Sequence, residues 1–372
     1  MDTFDIIVIG GGVVGLTSAW KLAESGRKVL VLDRNQCGAE ASSAAAGMLG
    51  AQLEVSEPGD FYQLCLESRQ LYPQFAEDLF EKTGIDTGLT DNGILKLAFS
   101  TEEVDALKSQ MDWQIKGGAR AEFVNAVDIA HFEPVLANCA GGLFLPDDSN
   151  ISAPLLARAL SVAAKTSCTV KEGSEVVAIA RDKSSYRVKT QSETFYAESV
   201  VIAAGAWARH LLPQALECDI QPVKGQLLAI RPQNGLSIRR TVFSNHTYLV
   251  PKRDGTIVVG ATEDRTAGFD KDATIDAISD LVTAVQRIAP GLRNAVFERT
   301  WTGLRPGSSD DRPWIGEVAD SPGLHVAIGH FRNGILLAPV TAQMIVASIA
   351  GEPWPHHWQT FHVSRKPALE VK

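Results

Sequence analysis

Three observations in the first 33 residues predict an α/β fold that begins with a doubly wound, mainly parallel sheet. A short β-branched strand, Phe4–Ile9, runs directly into the glycine-rich segment Gly10–Gly15. A helix from Val13 to Glu24 comes next, with apolar residues at helical spacing. A second apolar strand, Lys28–Leu32, then ends at an acidic residue, Asp33. This order of elements is the βαβ unit of Rossmann-like domains.

The glycine-rich segment Gly10-Gly11-Gly12-Val13-Val14-Gly15 matches G-x-G-x-x-G in the strand-to-helix context that the motif requires. Gly10 permits the tight turn, Gly12 lets the backbone approach a pyrophosphate, and Gly15 lets helix and strand pack closely. Phosphates would lie at the helix N-terminus, where free N–H groups and the helix dipole favour anions. Asp33, 23 residues after Gly10, would accept hydrogen bonds from an adenosine ribose. The motif predicts a dinucleotide site and does not distinguish FAD from NAD.

The rest of the chain predicts two domains, each assembled from separated segments. Helix patterns cover 57–83, where Pro73 is expected to bend or split the helix, and 101–116, 153–165, 272–288 and 334–350. Strand patterns cover 93–98, 176–180, 186–190, 199–203, 227–230, 248–250, 256–259 and 324–328. Parallel-type pieces lie at the start, middle and end. We therefore assign 1–88, 143–219 and 306–372 to a nucleotide-binding domain, and 89–142 and 220–305 to a mixed, mainly antiparallel domain.

Composition limits which partners we expect the protein to bind and which cellular compartment we expect it to occupy. A formal net charge of −9 discourages non-specific binding to nucleic acid or anionic lipid. The five cysteines form no Cys-x-x-Cys pair, so neither a disulfide framework nor a metal site is expected, and a reducing compartment fits. No uninterrupted apolar stretch approaches the roughly 18 residues of a membrane span. We expect a cytoplasmic enzyme with no nucleic-acid or membrane partner.

FAD is favoured over NAD by the position of the first motif and by two later segments. Arg34 and Ser42-Ser43 come soon after Asp33. Much later, Val200–Trp207 reads as a strand that ends in an Ala-Gly turn. This segment resembles the second flavin fingerprint, which returns the chain to the adenine and the pyrophosphate.

Further stretches resemble the D-amino acid oxidase family of FAD-dependent oxidases, and most closely its members that oxidise glycine. The matching stretches, which span nearly the whole chain, are Ser42–Gly50, Gly93–Phe99, Pro222–Gln226, His246–Pro251, Val259–Thr262, Gly303–Gly307 and Gly329–Pro339. The resemblance implies oxidation of glycine, sarcosine or small D-amino acids to the 2-oxo acid, with oxygen reduced to hydrogen peroxide. It also implies that the glycine imine can feed thiamine thiazole synthesis, and that the chain forms a homo-oligomer such as a tetramer.

Two alternatives remain open from the sequence. One is a D-amino acid or secondary-amine dehydrogenase on the same fold that passes electrons to a quinone, although no basic amphipathic helix supports membrane docking. The other is a flavin-binding protein without turnover. Arg305 and Tyr248 together would bind a carboxylate. They argue against a flavin-binding protein without turnover, because such a protein needs no carboxylate-binding pair.

An amino acid substrate brings a carboxylate, which the planar fork of an arginine matches with two hydrogen bonds. Arg305, in what we expect to be a turn over Gly303–Gly307, is the candidate, and Tyr248 would add a hydroxyl. His246 is expected two residues before Tyr248 on the same strand face. Arg332 would add positive charge near the flavin or the carboxylate. These patterns predict Arg305, Tyr248 and Arg332 as the catalytic residues.

Other residues are assigned to the cofactor or to the substrate. Free N–H groups at the start of the last helix would stabilise negative charge on the reduced flavin. Glu263 departs from the family pattern, because apolar residues also occur in this region of the family. An outward orientation, as a solvated loop charge, is favoured; an inward orientation would allow a cationic or larger amine substrate. No cysteine occurs after Cys218, so the resemblance implies non-covalent FAD.

The residues assigned to substrate are Gly50, Ala51, His246, Glu263, Arg305 and Arg332. The residues assigned to FAD are Gly10, Gly12, Val13, Val14, Gly15, Asp33, Arg34, Ser42, Ser43, Ala45, Ala46, Gly47, Met48, Val176, Ala204, Gly205, Trp207, Arg305, His330, Arg332, Asn333, Gly334, Ile335 and Leu336.

Overall fold

The computed structural model describes residues 3–214, 216 and 218–366. Residues 1–2, 215, 217 and 367–372 of the predicted nucleotide-binding domain lie outside the described residues. The strands are β1 (Thr3–Ile9), β2 (Val29–Leu32), β3 (Met48–Leu49), β4 (Ile94–Ala98), β5 (Glu122–Asn125), β6 (Gly141–Leu145), β7 (Ser149–Asn150), β8 (Thr169–Lys171), β9 (Val176–Asp182), β10 (Ser185–Thr190), β11 (Thr194–Ile202), β12 (Ile220–Arg231), β13 (Thr241–Ser244), β14 (Thr247–Pro251), β15 (Ile257–Gly260), β16 (Val296–Ser308), β17 (Trp314–Glu317) and β18 (Leu324–Ile328). The helices are α1 (Val13–Glu24), α2 (Ala41–Ala44), α3 (Asp60–Thr83), α4 (Thr101–Lys116), α5 (Ala126–Phe132), α6 (Ala153–Ser167), α7 (Ile275–Ile288), α8 (Gly334–Ala350) and α9 (His356–Gln359).

The first sheet has the order β17-β18-β11-β1-β2-β8, and its strands from β18 to β8 are parallel. Side chains alternate between its two faces. Ile6 and Val8 pack against the helices α1, α3, α6 and α8, whereas Ile7 and Ile9 pack against the β9–β10 hairpin. Burial on both faces explains why β1 and β2 are continuous apolar runs.

The second sheet has the order β16-β12-β15-β14-β13-β4-β6-β5. Its neighbouring strands are antiparallel except for β13 and β4. Leu281 and Val285 of α7 are buried in the core of this sheet. The mixed α/β fold class is therefore confirmed. Two of the predicted domain boundaries, at 142/143 and 305/306, fall inside β6 and β16.

Three local expectations need correction. The helix α3 is not split at Pro73: it runs from Asp60 to Thr83, and Tyr72, Phe75 and Leu79 are buried on one side of it. Gly303–Gly307 is part of the strand β16 and not a turn. β16 lies at the sheet edge, and edges tolerate proline.

The third error concerns His246, which does not share a strand face with Tyr248. Asn245 and His246 form a two-residue loop between β13 and β14, with φ values of +45° and +67°. Positive φ at both positions is the type I′ hairpin geometry. The usual Asn-Gly signal of such a turn is missing from the sequence, which explains the error.

A buried lysine joins the second sheet to the first half of the chain. Lys252 lies directly after β14, and its Nζ donates to Ala46 O at 2.6 Å, to Ile151 O at 2.9 Å and to Asn150 Oδ1 at 3.1 Å. Burial lowers the pKa of Lys252 to about 7. Three acceptors match the three donors of an ammonium group, so Lys252 fixes the position of the backbone at Ala46.

We predict that Lys252→Met lowers the free energy of unfolding by about 1–3 kcal/mol, because its buried acceptors lose their donor. Thermal or urea unfolding of the purified protein measures this. Lys189→Met is the matched control, since Lys189 is exposed on β10. Equal stability of the two variants would contradict the stabilising role of the three Lys252 hydrogen bonds.

Candidate active site

A cavity of about 650 Å³ lies where the carboxyl ends of β1, β2, β11 and β18 meet the second sheet. Ligands bind at such carboxyl edges in open α/β sheets. From the second sheet, residues of β12, β14 and β16 line the cavity. The cavity therefore has a nucleotide-binding end formed by the first sheet and a second end formed by the antiparallel sheet.

At the first end, the N-terminus of α1 opens into the cavity through Gly12, Val13 and Val14. The first turn of α1 carries no acidic residue, so the positive end of its dipole is not neutralised by its own side chains. A Cβ on Gly10 would lie 2.3 Å from Ala203 O, which shows why the turn needs glycine there. Ser42 Oγ accepts a hydrogen bond from Val13 N at 2.8 Å and holds the α2 segment against the turn.

Asp33 lines the cavity at the end of β2, where Oδ2 accepts from Gly11 N at 2.6 Å and Oδ1 from Asn35 N at 2.7 Å. Burial raises the pKa of Asp33 above its ordinary value. Beyond it, the Arg34 guanidinium lies 3.7 Å from the centre of the Trp207 ring. These residues and Val176 form the outer end of the cavity.

A second helix N-terminus opens into the same cavity. Asn333, Gly334 and Ile335 line it at the start of α8, and the first turn again has no acidic residue and no side-chain cap. α8 is long and apolar enough to cross a membrane, but it is mostly buried inside the protein between α1 and α3. Its N-terminus therefore offers unneutralised N–H groups at a fixed place.

Between the two helix ends runs the segment Ala44–Met48. The Trp301 Nε1 donates to Ala44 O at 2.9 Å, and Lys252 donates to Ala46 O. Both donors belong to the second sheet or its turns, so this sheet fixes the segment that crosses the middle of the cavity.

At the far end, the side chains of Arg305 on β16 and Tyr248 on β14 reach toward each other across the backbone of β12 and β15. Arg305 NH1 donates to Thr262 O at 3.1 Å, and no carboxylate of the described residues forms an ion pair with Arg305. A Cβ on Gly225 would lie 2.4 Å from Arg305 NH1, so the guanidinium rests directly on the backbone of β12. Burial raises the pKa of Tyr248, which keeps its hydroxyl protonated. The pair is a cation and a hydroxyl suited to a carboxylate.

Sequence reasoning missed Glu54, which lines the same end of the cavity. Its Oε2 is buried and has no hydrogen-bond partner among the described residues. Burial raises the pKa of Glu54, whereas Arg332 and Arg305 act in the opposite direction. Glu54 lies in the segment Ala51-Gln52-Leu53-Glu54-Val55, where polar and apolar residues alternate and nothing marks the glutamate as a site residue.

Glu263 does not point outward as expected. It lines the cavity, where it pairs with Arg332 and, at 3.0 Å, with Arg265. The loop after β15 turns inward because its backbone pairs with β12, through Asp264 N and Lys224 O at 2.9 Å.

Most of the residues predicted for the site meet in this cavity. Those that line it are Gly10, Gly12, Val13, Val14, Asp33, Arg34, Ser42, Ala45, Ala46, Gly47, Met48, Gly50, Val176, Ala204, Gly205, Trp207, His246, Tyr248, Glu263, Arg305, His330, Arg332, Asn333, Gly334 and Ile335. The four that do not line it are Gly15, Ser43, Ala51 and Leu336. Ala51 and Leu336 face the core of the first sheet, and a Cβ on Gly15 would meet Gly10 O at 1.9 Å.

The profile of the FAD dependent oxidoreductase (DAO) family matches residues 5–348. The chain belongs to this family. A glycine oxidase of Geobacillus kaustophilus is 38% identical over 348 residues, which are 92% of this chain and 92% of that protein. A bifunctional protein ThiO/ThiG of Synechocystis is 37% identical over 352 residues, which are 92% of this chain and 51% of that protein.

The crystal structure of glycine oxidase from Geobacillus kaustophilus has a TM-score of 0.94 to this chain. Its sequence identity is 36%, and the match covers 98% of this chain and 100% of the other. These findings confirm the predicted family, the fold and the dependence on FAD.

The residues present fit FAD. One end of the cavity offers the α1 N-terminus and Asp33, the other offers the α8 N-terminus, and the Ala44–Met48 segment connects them. No cysteine is among the residues that line the cavity. When bound, FAD supplies a two-electron acceptor that the amino acid side chains lack.

We predict that Gly225→Ala displaces the Arg305 guanidinium and lowers kcat/KM by about 100-fold, since misplacement by about 1 Å can cost that much. Steady-state kinetics on the FAD-loaded enzyme would measure it. In the control Gly117→Ala, the nearest atom to the new Cβ is 3.3 Å away, at the end of α4. Unchanged kinetics in Gly225→Ala would contradict the role given to this glycine.

Proposed function

We propose that this FAD-dependent enzyme oxidises glycine, sarcosine or small D-amino acids to the 2-oxo acid and ammonia or an amine, and reduces oxygen to hydrogen peroxide. The glycine oxidase names of the relatives support this substrate class. The observation that carries the proposal is the guanidinium of Arg305, which lies beside Tyr248 at the end of the FAD cavity and forms no ion pair with a carboxylate of the described residues. A small acid with one carboxylate suits this pair.

In the proposed reaction, Arg305 binds the substrate carboxylate through two hydrogen bonds, and Tyr248 donates a third. This grip orients Cα, and positioning alone contributes about 7–11 kcal/mol to lowering a barrier. The substrate nitrogen loses a proton, and Cα loses its hydrogen together with two electrons, so a C=N bond forms. Water then adds to the imine and releases ammonia, or methylamine from sarcosine. Oxygen takes up the two electrons and two protons as hydrogen peroxide.

Glu54 is the carboxylate that we assign to the amino end of the substrate. Its unpartnered Oε2 needs a donor when buried, and a substrate ammonium or amine supplies one. With Arg305 on the carboxylate and Glu54 on the nitrogen, both ends of a zwitterion meet an opposite charge. Arg332 is a further cation of this end, compensated by Glu263.

The proposal also covers the pathway, the cellular location, the mode of FAD binding and the assembly of the protein. The ThiO/ThiG relative supports a role for the glycine imine in thiamine thiazole synthesis. Five cysteines without a disulfide support a cytoplasmic location and, with none lining the cavity, non-covalent FAD. The division into two domains accords with two separate sheets. Exposed apolar side chains at Ile275 and Phe297 support a homo-oligomer, for which we propose a tetramer.

The decisive experiment assays the yellow holoenzyme against a panel of amino acids. Glycine is expected to bleach the flavin without air and to release peroxide in air. Bleaching without peroxide would indicate a dehydrogenase that uses another acceptor. If no amino acid in the panel bleaches the flavin, the proposed substrate class is refuted.

We predict that Arg305→Ala raises the KM for glycine by roughly 30-fold or more, because losing one partner of a buried charge pair costs about 2–5 kcal/mol. Arg305→Lys should recover part of the loss, since it keeps the charge without the planar fork. An unchanged KM in Arg305→Ala would remove this residue from the site.

We predict an acid limb in the pH profile of kcat/KM that lies above the ordinary pKa of glutamate and disappears in Glu54→Gln. Burial raises the pKa of Glu54. As the pH falls through this raised value, Glu54 becomes neutral and loses its attraction for the substrate ammonium, so kcat/KM falls. Competitive inhibition by glycolate, which has no amine, is expected to persist in Glu54→Gln and serves as the control. If the acid limb persists unchanged in Glu54→Gln, the assignment is wrong.

A further inference from the structure

Four charged side chains form a continuous row of ion pairs. Arg332 and Glu263 line the substrate end of the cavity, and the row continues through Arg265 to Asp311, which do not line it. Arg265 NH2 contacts both carboxylate oxygens of Asp311 at 2.9 Å. Arg265 Nε contacts Glu263 Oε1 at 3.0 Å, and Glu263 Oε2 pairs with Arg332. Glu263 thus lies between two guanidinium groups. Burial alone would raise the pKa of Glu263, but Arg332 and Arg265 together lower it, so the carboxylate is charged at neutral pH.

An aromatic ring holds this row in place. The Phe331 ring lies 4.9 Å from the Arg265 guanidinium and 5.1 Å from that of Arg332. Phe331 is buried at the start of α8, so its ring offers a fixed surface to both cations. Phe331 therefore restrains both of the arginines that flank Glu263.

The pairing changes which charges a ligand meets. Arg332 and Glu263 both line the cavity, and their charges cancel. Within the described part of the chain Arg305 has no acidic partner, so it remains the cation for one carboxylate. Glu54 adds a negative charge at the same end. A second carboxylate on the substrate would meet the two acids and an arginine whose charge is already compensated.

We propose that the Glu263–Arg332 ion pair determines specificity by excluding amino diacids, which limits the substrates to amino acids with one carboxylate and a small neutral side chain. This inference rests on the proposed function and refines it. It predicts that removing the charge of Glu263 releases Arg332 to bind a second carboxylate.

The kinetic experiment compares D-aspartate and iminodiacetate with glycine in wild type, Glu263→Gln and Glu263→Met. In both variants the diacid-to-glycine ratio of kcat/KM is expected to rise by roughly tenfold or more. FAD content and melting temperature establish that each variant is folded. Glutamine and methionine differ in polarity and shape. The same effect in both variants therefore comes from the loss of the charge and not from the shape of the new side chain.

Asp311→Asn is the matched control. It removes one negative charge from the other end of the same row and leaves Glu263 and Arg332 in place. Asp311 has φ +55°, a conformation that asparagine tolerates. A rise of the ratio in the Glu263 variants but not in Asp311→Asn supports the proposal. An unchanged ratio in both Glu263 variants, or an equal rise in Asp311→Asn, overturns it.

A binding measurement separates this inference from the proposed function. Calorimetric titration of the holoenzyme with acetate and with succinate gives a ratio of dissociation constants that needs no turnover. Tighter succinate binding relative to acetate in Glu263→Gln supports the role of the ion pair even if glycine proves not to be a substrate. An unchanged ratio counts against the ion pair even if glycine is oxidised.

Discussion

The constraint on which this structure depends is the concentration of positive potential inside an acidic chain. The protein carries a formal net charge of −9, yet its cavity must receive a pyrophosphate, a reduced flavin and a carboxylate. Two helix N-termini without acidic residues supply part of that potential. Arg305, which no acid among residues 3–214, 216 and 218–366 pairs with, supplies a further part at the substrate end. Fixed dipoles and a held guanidinium stabilise charge without reorganising, which makes them effective where water is excluded.

The second sheet fixes the positions of Arg305 and of the Ala44–Met48 segment. Its β12 strand supplies the flat surface at Gly225 on which Arg305 rests. Trp301 of β16 and Lys252, directly after β14, donate to the Ala44–Met48 segment. The two ends of the cavity therefore do not form independently. A disturbance of β12 or β14 would alter both the cation that faces the substrate and the segment that faces the cofactor.

Acids at the substrate end refine this arrangement. The buried Oε2 of Glu54 has no hydrogen-bond partner in the part of the chain that the structure describes, and Glu263 cancels the charge of Arg332. A buried charge without a partner is costly, so a residue such as Glu54 indicates a ligand that completes it. A paired charge has the opposite meaning, because it is removed from the interactions that a ligand can use. The same residue type thus has two roles, which are set by the groups within hydrogen-bond distance.

The sequence by itself determined the family, the cofactor and the nucleotide end of the cavity, because there the relevant residues are close together in the chain, from Gly10 to Asp33. It also determined Arg305 and Tyr248 as candidates through their motifs. Only the tertiary structure decided that Glu263 turns inward, that Glu54 lies beside the arginines, and that His246 occupies a turn. The turn at His246 is local, but its Asn-His pair lacks the usual hairpin signal. The other two depend on contacts between residues distant in the chain, such as Glu263 with Arg332, and on strand pairing between β12 and the loop after β15. Periodicity and local motifs carry no information about such contacts.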